Sequence, residues 1–268
     1  MAKFASMWYG PMTRLERLSV NSFINNGHEH HIFLYDMSNA DRLPKEAIIH
    51  DANDVMPESE VFKDIYKNEY FQFADIFRLK MMKKYDYIWS DLDVICLSPD
   101  WKWDKMFIPI SPKKPDEFPS RIMLNNSLFY IPSNSLFLDE MISITDKFNH
   151  KTTTDAYMLA MRLFTEMFIS NKVNNSIVRK HLIPPNVIYP IHYRDIEKIY
   201  IAKEIFVCDF LTRNSFGIHV WRDTLKSSKS VSNNTERLID SEPEKGSWLY
   251  NIYQKHLPYS SHLEWQNL

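Results

Sequence analysis

Tyr87-Ile88-Trp89-Ser90-Asp91-Leu92-Asp93-Val94 is the stretch whose reading decides the fold. Tyr87–Ser90 is short and apolar and reads as a buried strand, and two carboxylates follow at i and i+2. On a regular strand both would face the same side. Paired acids in that position suit a hard divalent cation, which takes oxygen ligands. In α/β proteins, ligands collect at the carboxyl ends of strands. Asp-x-Asp also occurs as an ordinary turn cap, so the surrounding chain has to decide between the two.

Working upstream, Lys3–Trp8 reads as a strand broken by Gly10-Pro11. Thr13 with Glu16 has capping-box spacing, Leu15, Leu18, Ser22 and Phe23 follow at helical spacing, and Gly27 supplies the stop. His30–Tyr35 and Ala47–His50 read as strands, so the chain opens β-α-β, the pattern of an α/β fold with a largely parallel sheet. Phe71–Lys84 predicts a helix with Phe73, Phe77 and Met81 on one face.

Downstream of the acids, Val94–Leu97 continues extended and Ile122–Ile131 is β-like. Ser135–Phe148 and Thr154–Ile169 read as helices, and Val187–Ile191, Ile205–Cys208 and Gly217–Trp221 as short strands. Lys226–Glu242 is polar and reads as a loop, and Ser247–His256 as a final amphipathic helix. With no repeat or linker, residues 1–225 form one domain, and residues 226–268 are a polar loop and C-terminal helical extension of it.

Composition narrows the function classes. The 268 residues include 44 % hydrophobic and 14 % aromatic residues, enough for a sizeable core. Only 4 are glycine, where average usage would give roughly 19. Neither G-x-G-x-x-G nor G-x-x-x-x-G-K-[ST] can be written from them, which disfavours a dinucleotide-binding dehydrogenase and a P-loop NTPase. The net charge of −2 offers nucleic acid no basic stripe. Cys96 and Cys208 form neither a disulfide framework nor a zinc set. No leader pattern and no membrane-spanning stretch is legible, so the expected location is cytoplasmic, with peripheral contact at the inner membrane surface as an option near Trp101–Lys105.

Two enzyme classes place Asp-x-Asp after a strand. A haloacid-dehalogenase-type phosphatase wants the motif near its N-terminus and a later Gly-Asp acid pair. Here ninety residues precede it and no Gly-Asp occurs. The other class is the nucleotide-sugar transferase. Asp75 and Arg78, at i and i+3 of the preceding helix, are adjacent. Such a pair is either a surface ion pair or, in a sugar transferase, an acid that accepts from sugar hydroxyls and a cation that donates to the donor's sugar or phosphate.

Ala74-Asp75-Ile76-Phe77-Arg78, then Lys84-Tyr85 and Asp91-Leu92-Asp93, resembles the DxD sugar transferases of glycosyltransferase family 32. That group holds α-1,4-galactosyl- and N-acetylglucosaminyltransferases and many bacterial polysaccharide biosynthesis enzymes, and the glucosylating toxins of clostridia are more remotely similar. Further landmarks are Met7-Trp8-Tyr9-Gly10, Leu124-Asn125-Asn126-Ser127, Tyr189-Pro190-Ile191 and Ile218-His219-Val220-Trp221, so the resemblance spans roughly residues 4–225. One departure stands out: the family's Gly-Gly is replaced by Asp86-Tyr87, a turn that adopts a glycine conformation less readily.

The resemblance implies a GT-A nucleotide-diphosphosugar transferase fold with a mixed, mostly parallel sheet flanked by helices. It implies a UDP-sugar donor, a glycan or glycolipid acceptor and retention of configuration. Asp93 would bind Mn²⁺ or Mg²⁺, Asp91 would touch the donor and the metal's water shell, and His219 would complete the metal site, an imidazole suiting Mn²⁺ better. Trp8 would stack on the uracil, Trp221 would line the donor pocket, and Asn125 or Asn126 would hydrogen-bond the donor sugar. A relative that keeps the fold and binds glycans without turnover is the alternative from another class.

Overall fold

The computed structural model describes residues 1–63, 69–113, 123–147, 165, 180–229 and 236–257. Its centre is a five-stranded mixed sheet. β1 (Lys3–Trp8), β2 (Glu29–Leu34), β3 (Ile48–Asp51) and β4 (Ile88–Ser90) run parallel, and β7 (Leu128–Phe129) is antiparallel to β4. The order is β3-β2-β1-β4-β7. The chain winds outward from β1 to β3 and then returns to β1's other side as β4. That reversal opens a crevice at the carboxyl ends of β1 and β4, where an α/β fold binds its ligands.

Two short ladders complete the strands: β5 (Val94–Cys96) pairs antiparallel with β9 (Gly217–His219), and β6 (Ile108–Pro109) pairs parallel with β8 (Leu182–Ile183). Gly217 is required there, because a Cβ would come within 2.9 Å of the Ile95 carbonyl oxygen.

Helix α1 (Arg14–Asn25) starts on the expected capping box, in which the Thr13 amide donates to Glu16 Oε2 at 2.7 Å. Helix α2 (Phe71–Tyr85) buries Phe73, Phe77 and Met81 completely. Helix α3 (Leu136–Thr145) is capped by Ser135, whose side chain accepts from the Phe137 amide. Helix α4 (Ile205–Thr212), helix α5 (Arg222–Ser227) and helix α6 (Trp248–His256) follow. On α6, Trp248, Leu249 and Tyr253 share one apolar cluster with Leu15 and Leu18 of α1 and with Ile95.

Several sequence expectations are corrected. Ile205–Cys208 is not a strand: it opens α4, because Ile205, Cys208 and Thr212 lie at helical spacing against the core. Val187–Ile191 is not a strand either. Pro185–Val187 forms a 3₁₀ turn, and Pro184, Pro185 and Pro190 deny a ladder its donors, although the Val187 and Ile188 carbonyls accept from the amides of Phe216 and His219. Only Leu128–Phe129 of the expected Ile122–Ile131 strand is regular. The polar stretch Lys226–Glu242 begins inside α5 and buries Leu238. The expected helix Thr154–Ile169 lies outside the described residues, apart from residue 165.

Asp86 also corrects the reading of the lost glycines. It closes α2 at φ 60°, ψ 33°, the left-handed conformation a glycine would take. Aspartate enters that region at lower cost than most residues. Its carboxylate holds the turn by accepting from Tyr130 Oη at 3.0 Å and the Ser133 amide at 2.7 Å.

Candidate functional site

β4 ends at Ser90, so Asp91 and Asp93 sit on a turn and not on a regular strand. The chain must cross there from the central sheet to the β5–β9 ladder, and the Val94 amide donates back to the Asp91 carbonyl at 3.1 Å. The turn does what strand alternation was expected to do. One ligand atom from each of Asp91, Asp93 and His219 falls within 4.8 Å of the others.

His219 arrives through the β5–β9 register, in which it stands opposite Val94. Its Nε2 lies 3.1 Å from Asp93 Oδ2, and the Arg222 amide donates to the same oxygen at 2.9 Å. Burial alone would raise the Asp93 carboxyl, but the His219 imidazole and these donors outweigh it and hold Asp93 below the usual range. Burial likewise disfavours the charged imidazole, yet Asp93, with Asp91 behind it, raises His219 above its ordinary value. Asp91 goes the other way. Burial, reinforced by the charge of Asp93 and only partly offset by Arg78, pushes its carboxyl up to about 6. His219 Nδ1 is buried and has no hydrogen-bond partner among the described residues.

Asp75, Arg78 and Asn126 are also brought together. Asn126 Nδ2 donates to Asp75 Oδ1 at 2.8 Å, and Arg78 Nη2 lies 3.3 Å from the same oxygen. Arg78 Nη1 donates to the Asn126 carbonyl at 2.6 Å and stands 3.4 Å from Asp91 Oδ1. Its Nε donates to Ala74 O, and its guanidinium lies 4.7 Å from the Trp89 ring centroid. Arg78 is buried, with its donors committed to protein partners, so in this geometry it orients Asp75 and Asp91.

Asn125 sits one layer deeper. Its Oδ1 accepts from the Ser127 amide at 2.9 Å and from Tyr189 Oη at 2.6 Å. The 125–127 segment thus joins both halves of the site, since the Asp91 amide donates to the Ser127 carbonyl at 2.6 Å.

Trp8, at the end of β1, is partly exposed. Its Nε1 donates to Pro11 O at 3.1 Å, and the Arg222 guanidinium lies 5.1 Å from its ring centroid. Trp221, at φ 53°, packs its ring 4.3 Å from that of His219. Trp101, read as an option for membrane contact, packs edge-on against Phe4, Phe107 and Phe216.

Sequence reasoning gave no role to five participants. Trp89 Nε1 donates to Asp91 Oδ1 at 2.7 Å. Tyr189 and Ser127 share a 2.7 Å hydroxyl pair. Arg222 links Asp93 to fully buried Glu16, which Arg222 Nε meets at 2.8 Å. Gln72, one turn before Asp75, is buried with both amide atoms unpartnered among the described residues. Trp89, Ser127 and Tyr189 stand inside quoted stretches, but nothing in those stretches indicates the side-chain contacts they make. Those of Arg222 join residues far apart in sequence.

Comparison with known proteins adds an independent line. Residues 158–241 match a family model described as the alpha 1,4-glycosyltransferase conserved region. No curated protein matches the chain. A solved structure, "PaToxG Glycosyltransferase", is similar over 67% of this chain and 74% of its own, at 13% identity and a TM-score of 0.45.

Proposed function

We propose that this protein is a metal-dependent glycosyltransferase that moves a sugar from a UDP-sugar to a hydroxyl of a glycan or glycolipid, in a GT-A fold. The observation that carries the reading is the meeting of Asp91, Asp93 and His219 within 4.8 Å at the switch point of the sheet. The family match supports it from a different part of the chain. The matched residues 158–241 include Tyr189, His219 and Trp221, whereas Asp91 and Asp93 lie outside them. The two stretches meet at the Asp93–His219 contact.

A divalent cation fits these residues. Two carboxylates and an imidazole form a mixed oxygen and nitrogen set that favours Mn²⁺ over Mg²⁺. The repulsion from Asp93 that helps to hold Asp91 up is what a cation would relieve. Asp91, Asp93 and His219 would hold it, and its positive charge would stabilise a departing diphosphate. Trp8 offers an aromatic face for uracil at the mouth of the crevice, with Trp221 on the His219 side. Asp75, fixed by Asn126 and Arg78, is placed to accept hydrogen bonds from sugar hydroxyls. Asn125 acts through Ser127 and Tyr189 to hold the Asp91 backbone.

The case for a non-catalytic relative rested on the missing Gly-Gly. Asp86 takes up the left-handed conformation at that turn, which favours the catalytic reading. The test is a UDP-sugar panel assayed for hydrolysis and transfer with Mn²⁺ or with EDTA. Turnover should require the cation and fall about 100-fold or more in Asp93→Ala. Unchanged turnover in that variant refutes the proposal. Retention is tested by the anomer of the transferred sugar, read by NMR.

A further inference from the structure

Helix α4 is built inside out for a surface helix. Cys208 and Thr212 face the core, while Phe206, Val207, Phe210 and Leu211 are 82%, 44%, 61% and 41% exposed. At 100° per residue these four occupy one continuous outward face. The other exposed large apolar side chains (Met1, Met37, Ile48, Phe71, Leu136 and Ile144) lie on other elements. Scaled by side chains of roughly 150–200 Å², the face presents roughly 400 Å² of apolar surface. A patch of about 300–600 Å² is the size of the largest on a typical monomer, and such patches are often functional.

We propose that α4 is a membrane-docking helix that lies in the interfacial layer of a lipid bilayer with Phe206 and Phe210 inserted. Area argues for a bilayer over a second copy of this chain. A stable dimer buries about 800 Å² per partner, of which about 450–520 Å² is apolar, somewhat more than this face offers, whereas a bilayer needs no complementary protein surface. Charge placement agrees. Lys203 and Arg213 stand at the two ends of the helix, and the Arg213 guanidinium lies over the Phe210 ring at 4.3 Å. That arrangement lets a cationic head reach the headgroup layer while the ring below it enters the acyl boundary. Glu204 and Asp209 cancel these charges, so apolar burial drives the docking. It therefore depends weakly on salt and on anionic lipid.

The docked helix is coupled to the candidate site. α4 packs on the 3₁₀ segment Tyr193–Tyr200, and the Tyr193 ring lies 5.7 Å from that of Trp221. Docking would thus hold the Trp221 side of the crevice toward the bilayer. The docking itself does not depend on the glycosyltransferase reading, and its test uses no turnover.

The experiment is sedimentation of the full chain with large unilamellar vesicles of phosphatidylcholine, with and without phosphatidylglycerol, at low and high salt. Phe206→Ser/Phe210→Ser is the comparison. Both side chains are solvent-exposed, so the variant should keep the wild-type circular dichroism and melting temperature. Wild type should co-sediment with both vesicle types at both salt levels, and the double variant should bind about tenfold less or weaker. In Phe206→Trp, the emission should shift to the blue on adding vesicles. Wild type remaining in the supernatant, or a folded double variant that binds equally well, overturns the proposal. So does a dimer in sedimentation velocity that Phe206→Ser/Phe210→Ser dissolves, since that would assign the face to a second copy.

Discussion

Tyr189→Phe isolates one hydroxyl at the centre of the site. Tyr189 Oη donates to Asn125 Oδ1 at 2.6 Å and shares a 2.7 Å bond with Ser127 Oγ, among residues almost wholly buried. Phenylalanine keeps the ring and its contacts with His219 and Trp221, at 5.7 and 5.5 Å. It deletes both hydrogen bonds. Asn125 Oδ1 keeps the Ser127 amide, but Ser127 Oγ is left buried without this acceptor. Two lost bonds at about 1 kcal/mol net each, with the lower end of the roughly 1–3 kcal/mol penalty for stranding a buried hydroxyl, put the loss at about 3 kcal/mol. In a chain of this size that lowers the melting temperature by roughly 5–10 °C. Urea unfolding of wild type, Tyr189→Phe, Ser127→Ala and the double variant closes a cycle. The double variant should be less destabilised than the two singles together, because it strands no hydroxyl. A Tyr189→Phe protein within about 0.5 kcal/mol of wild type would refute the network.

Arg222→Met removes the cation beside wholly buried Glu16 and should cost about 3 kcal/mol, the usual penalty for breaking a buried pair, read by the same urea unfolding. Divalent-cation affinity should climb with pH. Asp91 is pushed up to about 6 and His219 is raised, and a cation must displace those protons. Calorimetric titration with Mn²⁺ should therefore show more than about tenfold, and at most about a hundredfold, tighter binding per pH unit between pH 5 and 6, and a flat profile would contradict the ligand set. Burial lowers His30 to about 3. The unfolded chain then binds the extra proton below pH 6.5, so stability falls as pH drops from 6.5 toward 3. At pH 5 this amounts to about 2 kcal/mol. His30→Gln should flatten that loss in urea unfolding at pH 7 and 5.

The N-terminal half was legible because its signals are local. Lys3–Trp8, the Thr13–Glu16 box and the Phe73, Phe77 and Met81 stripe each need only their own segment to be read. Downstream the signals mislead. Ile205-Phe206-Val207 has the β-branched, apolar look of a strand. Tertiary packing uses only Ile205, Cys208 and Thr212, and a helix is the conformation that puts them on one side. Val187–Ile191 failed for the opposite reason: Ile188, Tyr189 and Ile191 are buried like a strand's residues, but Pro190, and Pro184 and Pro185 just before the segment, cannot donate. At the candidate site, type and spacing singled out Asp75, Arg78, Asp91 and Asp93, and the family resemblance added His219; the structure places Asp91, Asp93 and His219 together and Asp75 beside Arg78. Arg78's commitment to the Asn126 carbonyl was not readable, because nothing in Asp-x-x-Arg indicates a partner 48 residues away.

The scarcity of glycine bears on how the site is held. With 4 glycines, the chain has little means of building a backbone cradle for phosphate. The close approaches that remain are made by side chains. Asp86 closes the turn before β4 with its own carboxylate, and Asp93 is fixed by His219 and by the amide of Arg222. A side-chain-built anion site needs a positive centre at its middle, because its ring of carboxylates would otherwise repel a diphosphate. On the proposed reading the raised carboxyl of Asp91 is consistent with that requirement, since burial and, behind it, the charge of Asp93 hold the proton on. A divalent cation would answer both needs at once, ionising Asp91 and drawing the diphosphate to the carboxyl end of β4.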